Sequence, residues 1–134
     1  MRYLLDVNVL LALGLQSHEF HPRVGSWLRN LSSSDDEEIA TCSITELGFA
    51  KVLSQVRTYG YSLRDALSLL ERLKTRSIVK FGFLADDQDL TALPQWVKSP
   101  KHLTDGHLAQ LAKANNAVLA TLDTGISGGF LIPE

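Results

Sequence analysis

The chain has 134 residues, 45% of them apolar and 21% charged, with a net charge of −2, which suits one domain, residues 1–134, around a single core. That balance gives no global basic field, so a phosphate-bearing ligand would have to meet a local basic patch or bound cations. The lone cysteine, Cys42, excludes an internal disulfide and a cysteine-based zinc site, and the four histidines lack tight zinc spacing.

The start, "MRYLLDVN", lacks signal-peptide anatomy because Asp6 and Asn8 interrupt the apolar run. No run reaches the ~18 apolar residues of a membrane span, so a cytoplasmic protein without a membrane partner is expected. "RYLL" reads as a short buried strand, and "VNVLLALGL" as a helix ending near Gly14. "HPRVGSWLRNL" places Val24, Trp27, Leu28 and Leu31 at helical spacing. The acidic "SSSDDEE" is a solvated loop. "IATC" is a second strand, and Ser43-Ile44-Thr45-Glu46 matches a capping box at the head of a long helix. Leu47, Ala50, Leu53 and Val56 carry its apolar stripe to about Tyr59, where Gly60 stops it. Ser62 and Asp65 open the next helix, which runs to about Lys74. "SIVKF" is a third strand. Gly82 to Lys101 reads as loop around at most a short helix, with "DDQD" solvated. Thr104 opens a helix with Leu108, Leu111 and Ala112 inward, "AVLATL" is a fourth strand, and "FLI" a short terminal one. Helices alternate with continuously apolar strands, which predicts a parallel sheet covered on both faces.

Acidic residues fall at particular places in this scheme. Asp6 follows the first strand, Glu46 lies in the first turn after the second, and Asp123 follows the fourth. In a parallel sheet these share the C-terminal edge, where open α/β sheets bind ligands. Asp105 opens the helix before the fourth strand. Counting along the chain places it at the opposite end, unless residues 82–103 carry the chain back and the helix enters from the site's side. Helical phase puts Glu46 within ~40° of Ala50 and Leu53, and relates Asp105 in the same way to Ala109 and Ala112. Inward carboxylates are costly unless something cationic faces them, and no lysine or arginine is placed in the neighbouring sequence as an obvious partner for either, which leaves a partner from elsewhere in the fold. Taken singly, each acid has another reading: Asp6 as a helix cap, Glu46 as half of a capping box, Asp105 as a helix-dipole partner and Asp123 as a turn residue. Together, four carboxylates without histidine or cysteine suit Mg²⁺ or Mn²⁺ and phosphoryl chemistry.

The stretches "LLDVNVLLAL", "TCSITELGFAKVL", "LTDGHLAQLA" and "LATLDTGI" resemble, in order and over nearly the whole chain, the four acidic motifs of PIN-domain ribonucleases, and among these the VapC toxins of type II toxin–antitoxin systems. The resemblance implies a three-layer α/β/α sandwich with a five-stranded parallel sheet of order 3-2-1-4-5. It implies an endoribonuclease that hydrolyses RNA by metal-activated water, with transfer RNA or a ribosomal RNA loop as target and 5′-phosphate and 3′-hydroxyl ends as products. Asp6 and Asp105 match the best-defined ligands of Mg²⁺ or Mn²⁺. Glu46 matches the third acid and Asp123 the most variable fourth. Asn8, Thr45, Thr104 and Thr121 flank them as supporting donors. Arg23, Lys51, Arg57 and Arg64, with Arg29, Arg72 and Lys80, are candidate phosphate contacts. A VapB-type antitoxin partner is implied, for which the Leu- and Val-rich helices after the first two strands offer a groove, as is a homodimer or a heteromer with that antitoxin. The runner-up is a non-catalytic α/β binding module with a vestigial acidic pocket. A haloacid-dehalogenase-type phosphatase fits less well, because Asn8 stands where a second aspartate would be needed.

Overall fold

The strand that carries Asp6 lies at the centre of the sheet. In the computed structural model, which describes residues 1–134, the elements are β1 (Arg2–Leu5), α1 (Val7–Gly14), α2 (His21–Leu31), β2 (Glu38–Cys42), α3 (Ser43–Gln55), α4 (Leu63–Thr75), β3 (Lys80–Leu84), α5 (Leu103–Ala114), β4 (Ala117–Thr121) and β5 (Phe130–Leu131). Single 3₁₀ turns occupy Arg57–Tyr59, Leu90–Ala92 and Pro100–His102. All strand pairs are parallel, in the order β3-β2-β1-β4-β5. Leu4 pairs in register with Ala40 on one side and Leu119 on the other.

Strand alternation divides the core into two layers. Tyr3, Leu5, Ile39 and Ala120 face α1 to α4, packing with Val9, Trp27, Phe49 and Leu53. Leu4, Ala40, Cys42, Leu84 and Leu119 face α5, packing with Leu108, Leu111 and Ala112. Both faces are thus covered, which is why the strands read as continuously apolar. Close approach is needed where α3 crosses α1. A Cβ on Gly48 would lie 2.6 Å from Val7 Cγ2, so the glycine lets α3 pack directly against the residue after Asp6.

Three local expectations shift. The third strand is Lys80–Leu84 rather than "SIVKF", because the Ser77 hydroxyl bonds the Val79 carbonyl and amide and holds the preceding residues in a turn. The α3 stripe is Phe49, Ala50 and Leu53, while Leu47 and Val56 face solvent. The capping box of α3 begins one residue early. Cys42 is the N-cap, and the Thr45 hydroxyl accepts from the Cys42 amide at 3.0 Å, so Glu46 is free of that duty.

Candidate active site

Asp6 leaves the end of β1 and caps α1, its Oδ1 accepting a 2.8 Å bond from the Val9 amide. Capping alone does not account for its setting. The residue is 6% exposed, and none of the ion pairs in the structure includes it. Burial pushes its carboxyl above the ordinary carboxylate range, and the charges of Asp105 and Asp123 push it further. The Thr121 hydroxyl and the Val9 amide pull the other way. Asp105, in the first turn of α5, is half-buried. Its carboxyl is raised by burial and then by the charge of Asp123, with His102 opposing. Asp123 sits in the exposed turn after β4, where its amide donates to Thr121 Oγ1 at 3.0 Å and its Oδ1 accepts from the Gly125 amide at 2.8 Å. It is therefore both a turn residue and a charge felt by the other two aspartates.

The chain reaches this arrangement more simply than counting suggested, and the expectation that Asp105 starts at the opposite end is corrected. Only Asn115 and Asn116 join α5 to β4, with Asn116 at a positive φ of 54°. A helix tied so closely to the foot of a strand must begin at that strand's far end. Arg2 Nη1 donates to the Asn115 carbonyl at 3.3 Å, fixing the foot of α5 beside the start of β1. The first turn of α5 therefore opens on the C-terminal edge, where β3 has also ended, and residues 85–102 need not recross the sheet.

Glu46 is placed differently. Its Oε2 accepts from Thr41 Oγ1 at 2.5 Å and from Lys74 Nζ at 2.7 Å. The cation missing from the neighbouring sequence thus comes from α4. Thr41 alternates with Ala40 and so points to the α3–α4 face. Thr121 alternates with Ala120 and points to the α5 face. Glu46 stands on one side of the sheet edge and Asp105 on the other, and Glu46 is not among the charges that raise Asp6.

Of the expected supporting residues, Thr121 joins the aspartates. Thr45 is buried in the α3 cap, and Asn8 and Thr104 are exposed. The basic candidates are dispersed. Arg23 bonds the Ile132 carbonyl and lies over the Phe20 ring. Lys51 and Arg64 face solvent on α3 and α4. Arg57 opens the turn that packs beside Gly14–Ser17, at the other end of α1 from Asp6. Arg29 and Arg72 flank a separate groove with Leu13 and Leu28, and Lys80 lies at the foot of β3.

Sequence reasoning missed two contacts. One is Lys74. The other lies in "DDQD", where Asp86 Oδ2 bonds His107 Nε2 at 2.6 Å and ties the segment after β3 to α5 beside Asp105. The only hint was a histidine on the inward side of an apolar helix. The His107 hydrogen bond holds the Asp86 carboxyl below its ordinary range. The folded chain therefore binds that proton less tightly than the unfolded chain. This stabilisation is complete above the ordinary carboxylate pKa of about 3.9 and is lost as pH falls through the lower folded value. Urea titrations of wild type and Asp86→Asn are expected to differ fully above the ordinary carboxylate range, by no more than about 1 kcal/mol, and to converge in stronger acid. A gap that widened in acid would contradict the assignment.

The site thus offers carboxylate oxygens around a buried, unneutralised aspartate. This donor chemistry fits a hard divalent cation, with Asp6, Asp105 and Asp123 as the residues able to hold it. They share an electrostatic neighbourhood rather than a closed shell, since no three side chains converge as a ligand set.

The PIN domain family matches residues 3–128. Ribonuclease VapC38 of Mycobacterium tuberculosis (strain ATCC 25618 / H37Rv) is 35% identical over 127 residues, covering 92% of this chain and 86% of that protein. Ribonuclease VapC44 of Mycobacterium tuberculosis (strain CDC 1551 / Oshkosh) is 35% identical over 130 residues, covering 95% and 89%. A solved domain of a functionally unknown protein from Methanocaldococcus jannaschii DSM 2661 shares the fold, with a TM-score of 0.50, 16% identity, and coverage of 99% of this chain and 92% of that one.

Proposed function

We propose, since the chain belongs to the PIN-domain family and is a VapC ribonuclease, that it is the toxin of a type II toxin–antitoxin pair and cleaves RNA with the help of Mg²⁺ or Mn²⁺ at Asp6, Asp105 and Asp123, with Glu46 across the sheet edge from Asp105. The observation that carries this reading is Asp6, a buried carboxylate without a cationic partner, facing the like charges of Asp105 and Asp123. In a fold of this size such a group persists when function requires it, because burying unpaired charge is costly.

A divalent cation bound there supplies the charge that offsets a phosphodiester and lowers the pKa of a water. The chain's own residues do the rest. The α1 cap fixes the rotamer of Asp6 by committing Oδ1 to the Val9 amide, with the Thr121 hydroxyl alongside the same carboxylate. The rigid centre of the sheet holds that position, as a preorganised site requires. Glu46 has Oε2 committed to Thr41 and Lys74, and Oε1 is left to accept a hydrogen bond from the attacking water. A crevice at a sheet edge admits single-stranded or looped RNA, whose phosphates and bases can splay into it, rather than a regular duplex; a transfer RNA or ribosomal RNA loop is the target class we favour.

The partner is a VapB-type antitoxin. Leu47, Leu63 and Leu67 are exposed along α3 and α4, and a groove of about 310 Å³ beside them includes Ser43, Glu46 and Ala50. An amphipathic segment laid in that groove would cover apolar surface and reach the site together. No helix is long and apolar enough to cross a membrane.

The test is cleavage of a loop-bearing RNA by the purified chain. Cutting is expected with Mg²⁺ or Mn²⁺, none with a chelator, and none in either condition for Asp105→Asn. Mapping new 5′ ends after induction in cells then identifies the target. Metal-independent cutting, or full activity in Asp105→Asn, would overturn the mechanism.

A further inference from the structure

We propose that Lys74 is a positioning residue of the site: with Thr41 it occupies Oε2 of Glu46, keeps that carboxylate from grasping a cation through both oxygens, and leaves Oε1 to orient water. The inference rests on the placement of Glu46 in the active site made above.

Four observations converge on it. Both protein donors to Glu46 go to the same oxygen, at 2.5 Å from Thr41 and 2.7 Å from Lys74, and Oε1 accepts none. The donors are themselves fixed. Thr41 is fully buried in β2. The Lys74 ammonium lies 5.4 Å from the centre of the Phe83 ring, a cation–π distance. Phe83 pairs in register with Thr41, so the ring and the hydroxyl belong to the same face of adjacent strands. The ammonium is thereby set between an aromatic ring and a carboxylate, which restricts the rotamers of an otherwise flexible side chain. Finally, Thr41 points to the α3–α4 face of the sheet and Thr121 to the α5 face, so Glu46 stands apart from Asp105, with its own lysine beside it.

The pairing has a chemical consequence. A carboxylate with one oxygen taken by an ammonium and a hydroxyl is a poorer cation ligand and a better-aimed hydrogen-bond acceptor. Lysine charge at this position also lowers the negative potential of the site. Its removal therefore has opposite effects on two measurable properties. Cation affinity should hold or rise, because a positive charge has gone. Turnover should fall, because Glu46 is no longer held.

Lys74→Met keeps most of the stem and removes the charge, and at about a third exposed the position tolerates the change without unfolding. The full chain is titrated with Mn²⁺ by calorimetry and assayed on RNA. For Lys74→Met we expect kcat to fall about ten- to a hundredfold, the range typical when a partner that orients a metal-site group is removed. KM for RNA should stay within about twofold and Mn²⁺ affinity should equal or exceed wild type. Lys74→Arg should recover most of the turnover. In a Glu46→Gln background, Lys74→Met should cost little further, since residues acting through one another are not additive. Additive losses, or a raised KM with unchanged kcat, would make Lys74 an independent phosphate contact and overturn the inference alone. Mn²⁺ affinity falling in step with kcat would make it a structural prop and overturn it equally. Full activity in Glu46→Gln would overturn the placement of Glu46 in the site, and the inference with it.

Discussion

Asp6→Asn is expected to lower RNA cleavage roughly a hundredfold or more while leaving the metal-free chain at least as stable as wild type. The two halves have one cause. Asparagine caps a helix about as well as aspartate, so the bond to the Val9 amide survives. What disappears is a buried charge that faces Asp105 and Asp123. In the wild-type fold that charge is disfavoured at neutral pH, because the carboxyl is raised above its unfolded value and ionisation therefore opposes folding. Thermal melts should thus place metal-free Asp6→Asn level with or above wild type. Added Mn²⁺ should raise the wild-type melting temperature and leave the variant nearly unmoved, since a ligand stabilises only the state that binds it. Asp6→Ala separates the roles: it should be equally inactive but lose about 1 kcal/mol with the cap. An Asp6→Asn protein that cut RNA normally would remove Asp6 from the chemistry.

Phe49→Ala should have the largest effect on stability, about 3–5 kcal/mol out of the 5–15 typical of a domain. The ring is fully buried among the residues of α1, α3 and α4, and a Cβ on Gly14 would lie 3.3 Å from Phe49 Cε2. Nothing that close-packed can collapse into the vacated volume without moving a helix. Since Phe49 is one turn beyond Glu46, the same change should loosen the third acid. Urea denaturation measures the loss. Leu47→Ala, at a position 63% exposed, is the matched control, expected within about 0.5 kcal/mol of wild type. A Phe49→Ala loss below about 1 kcal/mol would mean that α3 is not anchored there.

These two leucine and phenylalanine positions also mark how far the sequence could be read. Periodicity placed a helix from Ser43 to about Tyr59, past its observed end at Gln55 where a 3₁₀ turn takes over, and an inward stripe, with Ala50 and Leu53 on it. The stripe could not distinguish Leu47 from Phe49, because both neighbour Ala50 in an apolar run and only the position of α4 decides which side is covered. Aspartates that leave strand ends were legible because strand ends fix where a side chain emerges. Asp105 was misplaced by counting elements without their directions; the two-residue link to β4 already contained the answer. The capping box slipped by one residue since Cys42, a residue rarely counted as a cap, shares the bond with Thr45. Lys74 was invisible for a more basic reason. It is 28 residues from Glu46, and the packing of α4 over β3 that brings it back leaves no trace in local pattern. The order of the strands came from family resemblance; spacing alone allowed others.

The central place of β1 has a consequence for synthesis. Its neighbours are β2 and β4, and Leu5 pairs with Ala120, so β1 cannot complete its pairing until β4 has been made. Asp105 and Asp123 emerge later still than the strand and helix that hold Asp6 and Glu46. Pairings of such long sequence separation form late in folding. A nascent chain on the ribosome therefore holds half a site and no nuclease. The topology postpones nuclease activity until β4 and the turn that carries Asp123 have been made.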